Sequence, residues 1–211
     1  QVLDHWQNQL VSVVDQARQQ FSPPPKLTVS EWADKYRVLS KEESSMSGLW
    51  STDRVPYLRK IMDAFNDDYI ESIIFMKSAQ IGATEAGINI IAYTIDQEPC
   101  RILYVLPDDD IAKDFSSERL RKALRNCPRL DNKFDDADSK NKVLRFPGGF
   151  IRLEGAQSPG KLASWPIPKI IMDEIDKYPR WAGREANPIA LAEERAKNWP
   201  SKKMLLMSTP T

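Results

Sequence analysis

The sequence predicts an α/β fold built around a largely parallel sheet. Short apolar runs, which are typical of strands buried on both faces, alternate along the chain with segments of helical periodicity. The 211 residues are 41% hydrophobic and 28% charged, which excludes a disordered or fibrous protein and fits one domain with a small appendage. The predicted buried strands are Ile70–Met76, Arg101–Leu106, Ile167–Met172 and Lys203–Met207, and a hairpin pairs Val143–Phe146 with Phe150–Leu153.

The helices are predicted from apolar spacing and from capping residues. Residues 1–20 have the spacing of an amphipathic helix, which Pro23–Pro25 end. Ser30 is the predicted N-cap of a short helix, and Pro56 opens a helix that runs to Phe65. Further helices are predicted over Glu85–Ile95, Ile111–Arg125 and Ala190–Lys197, and residues 40–53 and 131–142 are predicted loops. The chain therefore divides into an N-terminal helix with a Pro-rich linker, residues 1–26, and one α/β domain, residues 27–211.

Charge and residue usage argue against several functional classes. Lys and Arg total 30, as do Asp and Glu, so the net charge is zero. This argues against a generally basic surface for nucleic acid but not against a local basic patch. With one histidine and two cysteines, a Cys/His zinc site and His-based nucleophilic catalysis are not expected. No apolar run approaches the roughly 18 residues of a membrane span. The chain begins at Gln1 and stops just after an apolar run, so we expect it to be a piece of a longer protein.

The connection between the first predicted strand and the next helix has features of a phosphate-binding loop. Against the pattern G-x-x-x-x-G-K-[ST], Gly82 and Thr84 match, whereas Lys77 replaces the first glycine and Ala83 stands at the lysine position. Backbone N–H groups at a helix N-terminus hold phosphates, a lysine reaches the β- and γ-phosphates, and the hydroxyl binds Mg²⁺. Taken alone, the segment also fits an ordinary strand-to-helix turn. Its residues are Lys77, Ser78, Ala79, Gln80, Ile81, Gly82, Ala83 and Thr84.

A second candidate motif is the pair of carboxylates that ends an apolar strand. Asp173 and Glu174 follow directly after the strand that ends at Met172. In nucleoside triphosphatases such a strand places one carboxylate on Mg²⁺, and the next can act as the general base for the attacking water. A solvated acidic turn is the alternative for this motif alone. Together with the loop, in this order, the pair predicts a nucleotide site.

Several motifs then resemble the large subunit of lambda-type bacteriophage terminases, over roughly residues 27–211. The resemblance implies a P-loop NTPase-like fold of the class with an additional strand and a catalytic glutamate. It also implies that residues 27–211 form the ATPase domain and that a nuclease domain lies downstream of this chain. The motifs are Arg54–Leu58, Met76–Glu85, Asp173–Asp176 and Ser208–Thr211.

The resemblance assigns roles residue by residue. Lys77 matches the displaced phosphate-loop lysine, Thr84 and Asp173 match the Mg²⁺ ligands, and Glu174 matches the catalytic carboxylate. Because Ala83 stands where many members carry a second lysine, Lys77 alone bears the phosphate-binding role. Tyr57 resembles the aromatic residue that packs on adenine, although it also fits as a core residue of its helix. Ser208 and Thr209 resemble the motif that senses the γ-phosphate and couples hydrolysis to movement.

The resemblance also implies cofactors, partners and a cellular location. The expected cofactors are ATP and Mg²⁺, and the expected function is a motor that drives double-stranded DNA into a procapsid. The expected partners are the portal, a small terminase subunit that docks on the helix of residues 1–20, and further copies of the chain in a ring within the host cytoplasm. Lys161, in the loop of residues 155–164, is the candidate catalytic cation offered to a neighbouring subunit, although it also fits as a solvated loop charge. Arg101, Arg152 and Arg184 are alternatives for this cation.

Other functions remain open at the level of the sequence. Asp173–Asp176 also resembles the acidic box of a helicase-like, nucleic-acid-dependent ATPase. Ala83 motivates a third hypothesis, a catalytically weak P-loop assembly scaffold. The densest basic run is a candidate for DNA phosphates, since such contacts need only positive charge, but it equally fits a solvated helix face. This run consists of Arg119, Arg121, Lys122, Arg125 and Arg129.

Overall fold

The structure, a computed structural model, describes residues 26–42, 46–131, 133, 135–140, 142–162, 165–181 and 187–209. The helix predicted over residues 1–20 lies outside these ranges. The helices are α1 (Val29–Tyr36), α2 (Tyr57–Asp63), α3 (Ala83–Gln97), α4 (Asp109–Asp114), α5 (Arg121–Arg125), α6 (Pro159–Leu162) and α7 (Pro188–Ala196), and a π-helical segment, Phe115–Leu120, joins α4 to α5. The strands are β1 (Val38–Leu39), β2 (Gly48–Leu49), β3 (Ser72–Met76), β4 (Arg101–Leu106), β5 (Asp135–Lys140), β6 (Val143–Phe146), β7 (Gly149–Gly155), β8 (Lys169–Met172) and β9 (Lys203–Ser208).

A seven-stranded sheet in the order β3-β9-β8-β4-β7-β6-β5 forms the centre of the fold. The strands from β3 to β7 in this order are parallel, and β6 and β5 add antiparallel pairs at one edge. This confirms the predicted α/β fold with a largely parallel sheet. The last strand in the sequence, β9, is inserted between β3 and β8, so that the strand before the candidate phosphate loop and the strand before Asp173 are separated by one additional strand.

The central strands are apolar along their length because helices cover both faces of the sheet. On one face, Tyr104 and Leu205 belong to a core cluster shared with α1, α2 and α3. Their chain neighbours Val105 and Leu206 point to the opposite face and pack in a second cluster with α7. Such strands form continuous apolar runs rather than alternating ones, which is how they could be recognised in the sequence. Within the described residues, no helix is long and apolar enough to cross a membrane.

The first predicted strand is present, but the prediction that it is buried was wrong. β3 lies at the edge of the sheet, and Ile74 and Met76 are 78% and 73% exposed. Their neighbours Ile73 and Phe75 pack against the core on the other face. An apolar run therefore does not distinguish a central strand from an edge strand that is covered on one face only.

Three further details of the predicted elements also differ. The N-cap of α1 is Thr28 rather than Ser30, because Thr28 and Glu31 form a reciprocal capping box and the Ser30 hydroxyl donates to Asp63 instead. The predicted loop of residues 131–142 contains β5, which pairs with β6 at the far edge of the sheet. The sequence of β5 is mostly polar, so it has no apolar pattern from which a strand could be predicted. The predicted loop of residues 40–53 also contains β2, which pairs with β1.

Asp96, near the end of α3, connects three parts of the helical layer. Its carboxylate accepts hydrogen bonds from the Trp32 indole at 2.8 Å and from Arg129 Nε at 3.1 Å, and it pairs with Lys133. The Asp96 side chain has no exposed surface. Burial by itself raises the pKa of Asp96, but the hydrogen bonds from Lys133, Trp32, Gln97 and Arg129 outweigh it and lower the pKa to about 2. The ionised carboxylate therefore stabilises the folded state.

Replacing Asp96 with Asn tests this contribution. We expect Asp96→Asn to lower the free energy of unfolding at pH 7 by about 1–2 kcal/mol. Because the folded-state pKa lies below the unfolded-state value, the stabilisation is present above the unfolded pKa and is lost as the pH falls towards about 2. Urea unfolding of both proteins at pH 7 and pH 3 should therefore give a smaller difference at pH 3. Asp110→Asn, which removes an exposed pair with Lys113, is the matched control and should change stability by less than about 0.5 kcal/mol. An equal loss at both pH values would contradict the assignment.

Candidate functional site

The connection from β3 to α3 is a short loop with two residues in left-handed conformation. Gly82, the N-cap of α3, has φ of +80°, and Gln80 has φ of +59°. The Lys77 N–H donates to the Ser208 carbonyl at 2.8 Å, so the loop leaves the sheet beside the end of β9. Helix α3 starts at Ala83, two residues before the predicted start at Glu85. The loop therefore ends at a helix N-terminus, whose first amides have no partner within the helix and favour an anion.

Polar side chains from the loop and from two neighbouring strands meet at the carboxyl end of the sheet. The Thr84 hydroxyl donates to Asp173 Oδ2 at 3.0 Å. Lys77 Nζ donates to Thr209 Oγ1 at 3.2 Å and lies 4.0 Å from Asp173 Oδ1. Because the carboxyl ends of parallel strands lie at one edge, residues distant in sequence converge there. The fold thus brings together the predicted Lys77, Thr84, Asp173 and Thr209.

The Asp173 carboxylate is buried and held in one orientation. Burial raises the pKa of Asp173, and the Thr84 hydroxyl and the Lys77 ammonium act in the opposite direction. The Tyr104 hydroxyl also donates to Asp173 Oδ2, at 3.2 Å, and burial raises the pKa of Tyr104 well above its usual range, so that it remains a donor. The surroundings of Asp173 therefore consist of donors and one cation, as a carboxylate at a metal or phosphate site requires.

Glu174 follows Asp173 and has an unusual backbone conformation. Its φ of +56° is rare for a residue with a side chain, and such conformations concentrate at functional sites. The Glu174 N–H donates to Asp173 Oδ1 at 3.0 Å, and the carboxylate pairs with Lys177 at 2.8 Å. The side chain is 37% exposed, so it can turn without crossing the core.

Asp176 connects this acidic segment to the end of β9. Asp176 Oδ1 accepts a hydrogen bond from the Ser208 hydroxyl at 3.1 Å and one from the Thr209 N–H at 3.3 Å. Ser208 and Thr209 therefore touch both the segment after β8 and, through Thr209, the phosphate-loop lysine.

A cavity of about 610 Å³, here called the loop cavity, opens in front of these residues. Its size is in the range of small-ligand sites. Tyr57 lies beside it, half exposed, with its hydroxyl donating to the Ile81 carbonyl at 2.9 Å. The residues that line the loop cavity are Lys77, Ala79, Gln80, Ile81, Gly82, Ala83, Thr84, Glu85, Arg119, Glu174 and Thr209.

Five predicted site residues are not among those that line the loop cavity. Tyr57 contacts the lining residue Ile81, and Asp173 lines an adjoining cavity. Ser78 is exposed, and Ser208 contacts Asp176 instead. Lys161, in α6, pairs with Asp109 Oδ2 at 2.6 Å. Burial by itself raises the pKa of Asp109, but hydrogen bonds from Lys161 and Lys142 outweigh it and lower that pKa. Within one chain, therefore, Lys161 is already paired with an acid away from the phosphate loop.

The structure adds residues that the sequence interpretation did not assign to the site. Arg119 lines the loop cavity, and Glu85 in the first turn of α3 pairs with it at 2.8 Å. Tyr104 supports Asp173, and Asp176 supports the end of β9. A tyrosine inside the apolar strand β4 was the one available signal for Tyr104. Nothing in the spacing of Arg119 distinguishes it from its basic neighbours.

The donor set near Asp173 fits a magnesium ion shared with phosphates. Among the described residues, no group of three or more His, Cys, Asp and Glu side chains could hold a metal ion. A hydroxyl and a carboxylate are nevertheless 3.0 Å apart at Thr84 and Asp173. Mg²⁺ is typically held by one or two protein oxygens together with substrate phosphates and water, so this pair suffices where a nucleotide is present.

The strand order, the loop at a helix N-terminus and the carboxylate after β8, one strand removed from β3, define a domain of the P-loop nucleoside triphosphatase class. Residues 44–211 match the family described as "Phage terminase large subunit gpA, ATPase domain", and the chain belongs to this family. This confirms the resemblance found in the sequence motifs, and the helicase-like and scaffold alternatives are not favoured.

Individual relatives agree with this assignment. The large terminase subunit of Escherichia phage lambda is 29% identical over 202 residues, which cover 92% of this chain and 31% of that subunit. The chain therefore spans less than a third of this relative's length. In fold, it is similar to the large terminase of bacteriophage HK97 (TM-score 0.66, 13% identity, 86% of this chain and 38% of that one). It is also similar to the large terminase of a thermophilic bacteriophage in complex with ADP (TM-score 0.50, 15% identity, 73% of this chain and 37% of that one).

The left-handed conformation at Gly82 leads to a stability prediction. A Cβ added at Gly82 meets Leu58 Cδ1 at 3.5 Å, an ordinary contact, so only the backbone disfavours a side chain there. We expect Gly82→Ala to lower the free energy of unfolding by about 1–2 kcal/mol. Gly160→Ala is the control, because an added Cβ meets nothing within 4 Å and the residue has no positive φ. Chemical denaturation of both variants tests this, and an equal effect at Gly160 would argue against it.

Proposed function

We propose that this chain is the ATPase unit of a DNA-packaging motor, which binds ATP with Mg²⁺ and couples its hydrolysis to the movement of double-stranded DNA into a procapsid. The observation that carries the proposal is the meeting of Lys77, Thr84 and Asp173 at the edge of the loop cavity. Membership in the terminase ATPase family and the ADP complex of the thermophilic phage terminase support it.

Each residue has a role that its surroundings support. The amides of the phosphate loop and Lys77 hold the β- and γ-phosphates, while Thr84 and Asp173 hold Mg²⁺, which neutralises phosphate charge when bound. The exposed ring of Tyr57, fixed to the loop through Ile81, packs on the adenine. Lys77 takes the phosphate role without a second lysine, because alanine occupies position 83 in the first turn of α3.

Glu174 acts as the general base. It lines the loop cavity directly beside Asp173, and the pair with Lys177 lies at a partly exposed position from which the carboxylate can turn inward. Water attacks the γ-phosphorus while the bond to the β–γ bridging oxygen breaks, the electron pair leaves on ADP, and the water proton passes to the Glu174 carboxylate. Ser208 and Thr209 report the state of the γ-phosphate to Asp176 and the segment after β8.

Glu174→Gln tests the general base. We expect the substitution to lower ATP turnover by about 10²- to 10⁴-fold while the Kd for ATP stays nearly unchanged, because the amide cannot accept the proton but keeps its shape. Turnover should be measured over a range of protein concentrations. Glu194→Gln, at an exposed pair with Lys197 on α7, is the control and should leave turnover unchanged.

The concentration series also tests the trans-acting Lys161. Turnover that rises faster than linearly with protein concentration, and that falls in Lys161→Ala, supports a ring in which this lysine leaves Asp109 for a neighbour's phosphate. Linear turnover means that each chain is self-sufficient. Turnover that persists in Glu174→Gln at the parent level would overturn the assignment of the base.

Ion pairs within the chain make the helical basic run a weaker candidate for the DNA contact than a second surface. Three residues of the run are paired with acids within the chain: Arg119 with Glu85, Lys122 with Glu118 and Arg129 with Asp96. A cavity of about 550 Å³ at the other end of the sheet instead gathers arginines and aromatic rings. It is lined by Arg101, Arg145, Arg152, Phe150 and Trp165, together with Val143, Gly148 and Gly149, and is here called the arginine groove.

Strand register explains how the arginine groove forms. Phe150 of β7 lies opposite Arg101 of β4 on one side and opposite Arg145 of β6 on the other. The Arg101 guanidinium lies 5.8 Å from the Phe150 ring centroid, and Trp165 meets the same ring edge-on. None of the described residues that line the groove is acidic, and one acid near its arginines is Glu154, whose Oε1 lies 3.7 Å from Arg152 Nε. This supports contact with DNA phosphates, which carries no sequence information and suits a motor that moves any sequence.

Removal of two groove arginines tests the DNA contact. We expect Arg101→Ala with Arg152→Ala to weaken binding to all duplex sequences alike and to reduce the slope of log K against log salt by about 2. Fluorescence anisotropy over a salt series measures both. Lys113→Ala with Lys197→Ala, which removes two exposed lysines from helices, is the charge-matched control. The same slope in both double variants would count against the groove.

The remaining partners are part of the same proposal. A homo-oligomeric ring at a portal, with a small terminase subunit docked on residues 1–20, would complete the motor in the host cytoplasm. The division into residues 1–26 and residues 27–211 is proposed in the same way, because the helix of residues 1–20 lies outside the described residues.

A further inference from the structure

Arg119 lies in the π-helical segment Phe115–Leu120 and borders two cavities. One is the loop cavity, and the other, of about 310 Å³, is also lined by Thr84, Asp173 and Glu174. The Arg119 side chain is 48% exposed. Its guanidinium therefore belongs to the wall between the phosphate loop and the acidic strand end.

Arg119 forms an ion pair with Glu85, a carboxylate that also pairs with a buried arginine. Arg119 Nη2 lies 2.8 Å from Glu85 Oε1, and Arg37 Nη2 lies 3.1 Å from Glu85 Oε2. The Arg37 side chain has no exposed surface, whereas that of Arg119 is half exposed. If Arg119 leaves, Glu85 keeps Arg37 and is not left as an unpaired charge. The pair that must break is the exposed one, which contributes little to stability.

The charge balance of the loop cavity calls for a second cation. Of the described residues that line it, Lys77 and Arg119 are the cationic side chains, and Glu85 and Glu174 are the acidic ones. Lys77 is held between Thr209 and Asp173. Negative charge spreads over the γ-phosphate oxygens during phosphoryl transfer, and the planar fork of an arginine fits those oxygens in a way that a lysine does not.

The segment that carries Arg119 is attached to the site at a second point. Phe115, the first residue of the π-helical segment, stacks on Tyr104 with ring centroids 4.8 Å apart. The Tyr104 hydroxyl donates to Asp173 Oδ2. Single π-helical insertions within α-helices are frequent at functional sites, and here the insertion joins the support of Asp173 to the position of Arg119.

We propose that Arg119 is a catalytic arginine supplied by the same chain, which rests on Glu85 when no nucleotide is bound and moves onto the terminal phosphate oxygens of a bound triphosphate. This inference rests on the proposed ATPase function. Arg119 takes part in no covalent step: it stays protonated and donates N–H groups. It acts in addition to any cation, such as Lys161, that a neighbouring subunit contributes.

Discrimination between ATP and ADP tests the proposal without relying on activity. In a Glu174→Gln background, which prevents turnover, we expect Arg119→Ala to weaken ATP binding by about 10- to 100-fold, because a charge-assisted hydrogen bond to the γ-phosphate is lost. Binding of ADP should change little, since ADP lacks the group that Arg119 contacts. The affinity of Arg119→Lys for ATP should lie between that of the parent and that of Arg119→Ala. Titration calorimetry with Mg-ATP and Mg-ADP measures all of these affinities.

Lys122→Ala is the matched control, because it removes a cation of the adjoining helix α5 that pairs with Glu118 at 2.8 Å. It should leave the ratio of ATP to ADP affinity unchanged. Arg119→Gln provides a second variant of similar size if Arg119→Ala unfolds. An unchanged ratio in the Arg119 variants, or an equal loss for ATP and ADP, would overturn the inference and leave the ATPase proposal intact. A parent chain that binds neither nucleotide would overturn both.

Discussion

The burial of the Asp173 carboxylate is the constraint on which the rest of the site depends. A buried charge is unfavourable unless hydrogen bonds and an opposite charge compensate for it. Thr84, Tyr104 and the Glu174 amide provide the hydrogen bonds, and Lys77 provides the charge. The first turn of α3, the strand β4 and the loop after β3 are therefore all fixed relative to the end of β8. Three of these residues, Lys77, Thr84 and Glu174, also line the loop cavity.

The insertion of β9 between β3 and β8 determines which residues connect the loop after β3 to the segment after β8. Because β9 ends between the phosphate loop and the acidic segment, Thr209 touches Lys77 on one side and Asp176 on the other. Thr209 therefore connects Lys77 to the segment after β8 through two hydrogen bonds. Glu85 plays a comparable part on the helical side, where Arg37 fixes one oxygen and Arg119 occupies the other. The Arg37 side chain there is fully buried, whereas the Arg119 side chain is half exposed.

Strands with both faces buried could be predicted from the sequence, whereas the location of a strand at the edge of the sheet could not. β4, β8 and β9 carry continuous apolar residues because helices cover them on both sides, and their bounds were predicted to within two residues. β3 has the same apolar character but lies at an edge, and β5 has none because its residues are polar. The apolar pattern of a strand indicates what its faces pack against, but it does not indicate where the strand lies in the sheet. The capping residue of α1 was missed for a related reason, since the Ser30 hydroxyl is used by Asp63 of α2.

The sequence by itself determined the class of fold and the family, because both depend on local runs of residues and on the order of those runs along the chain. Only the tertiary structure decided which charges are already paired. Lys161 is paired with Asp109, several cations of the basic helical run are paired with acids, and Arg119 is the member of that run that borders the loop cavity in the described part of the chain. Ion pairs join residues that are far apart in the chain, such as Glu85 with Arg119, and their partners depend on strand order and helix packing, which spacing along the sequence does not encode.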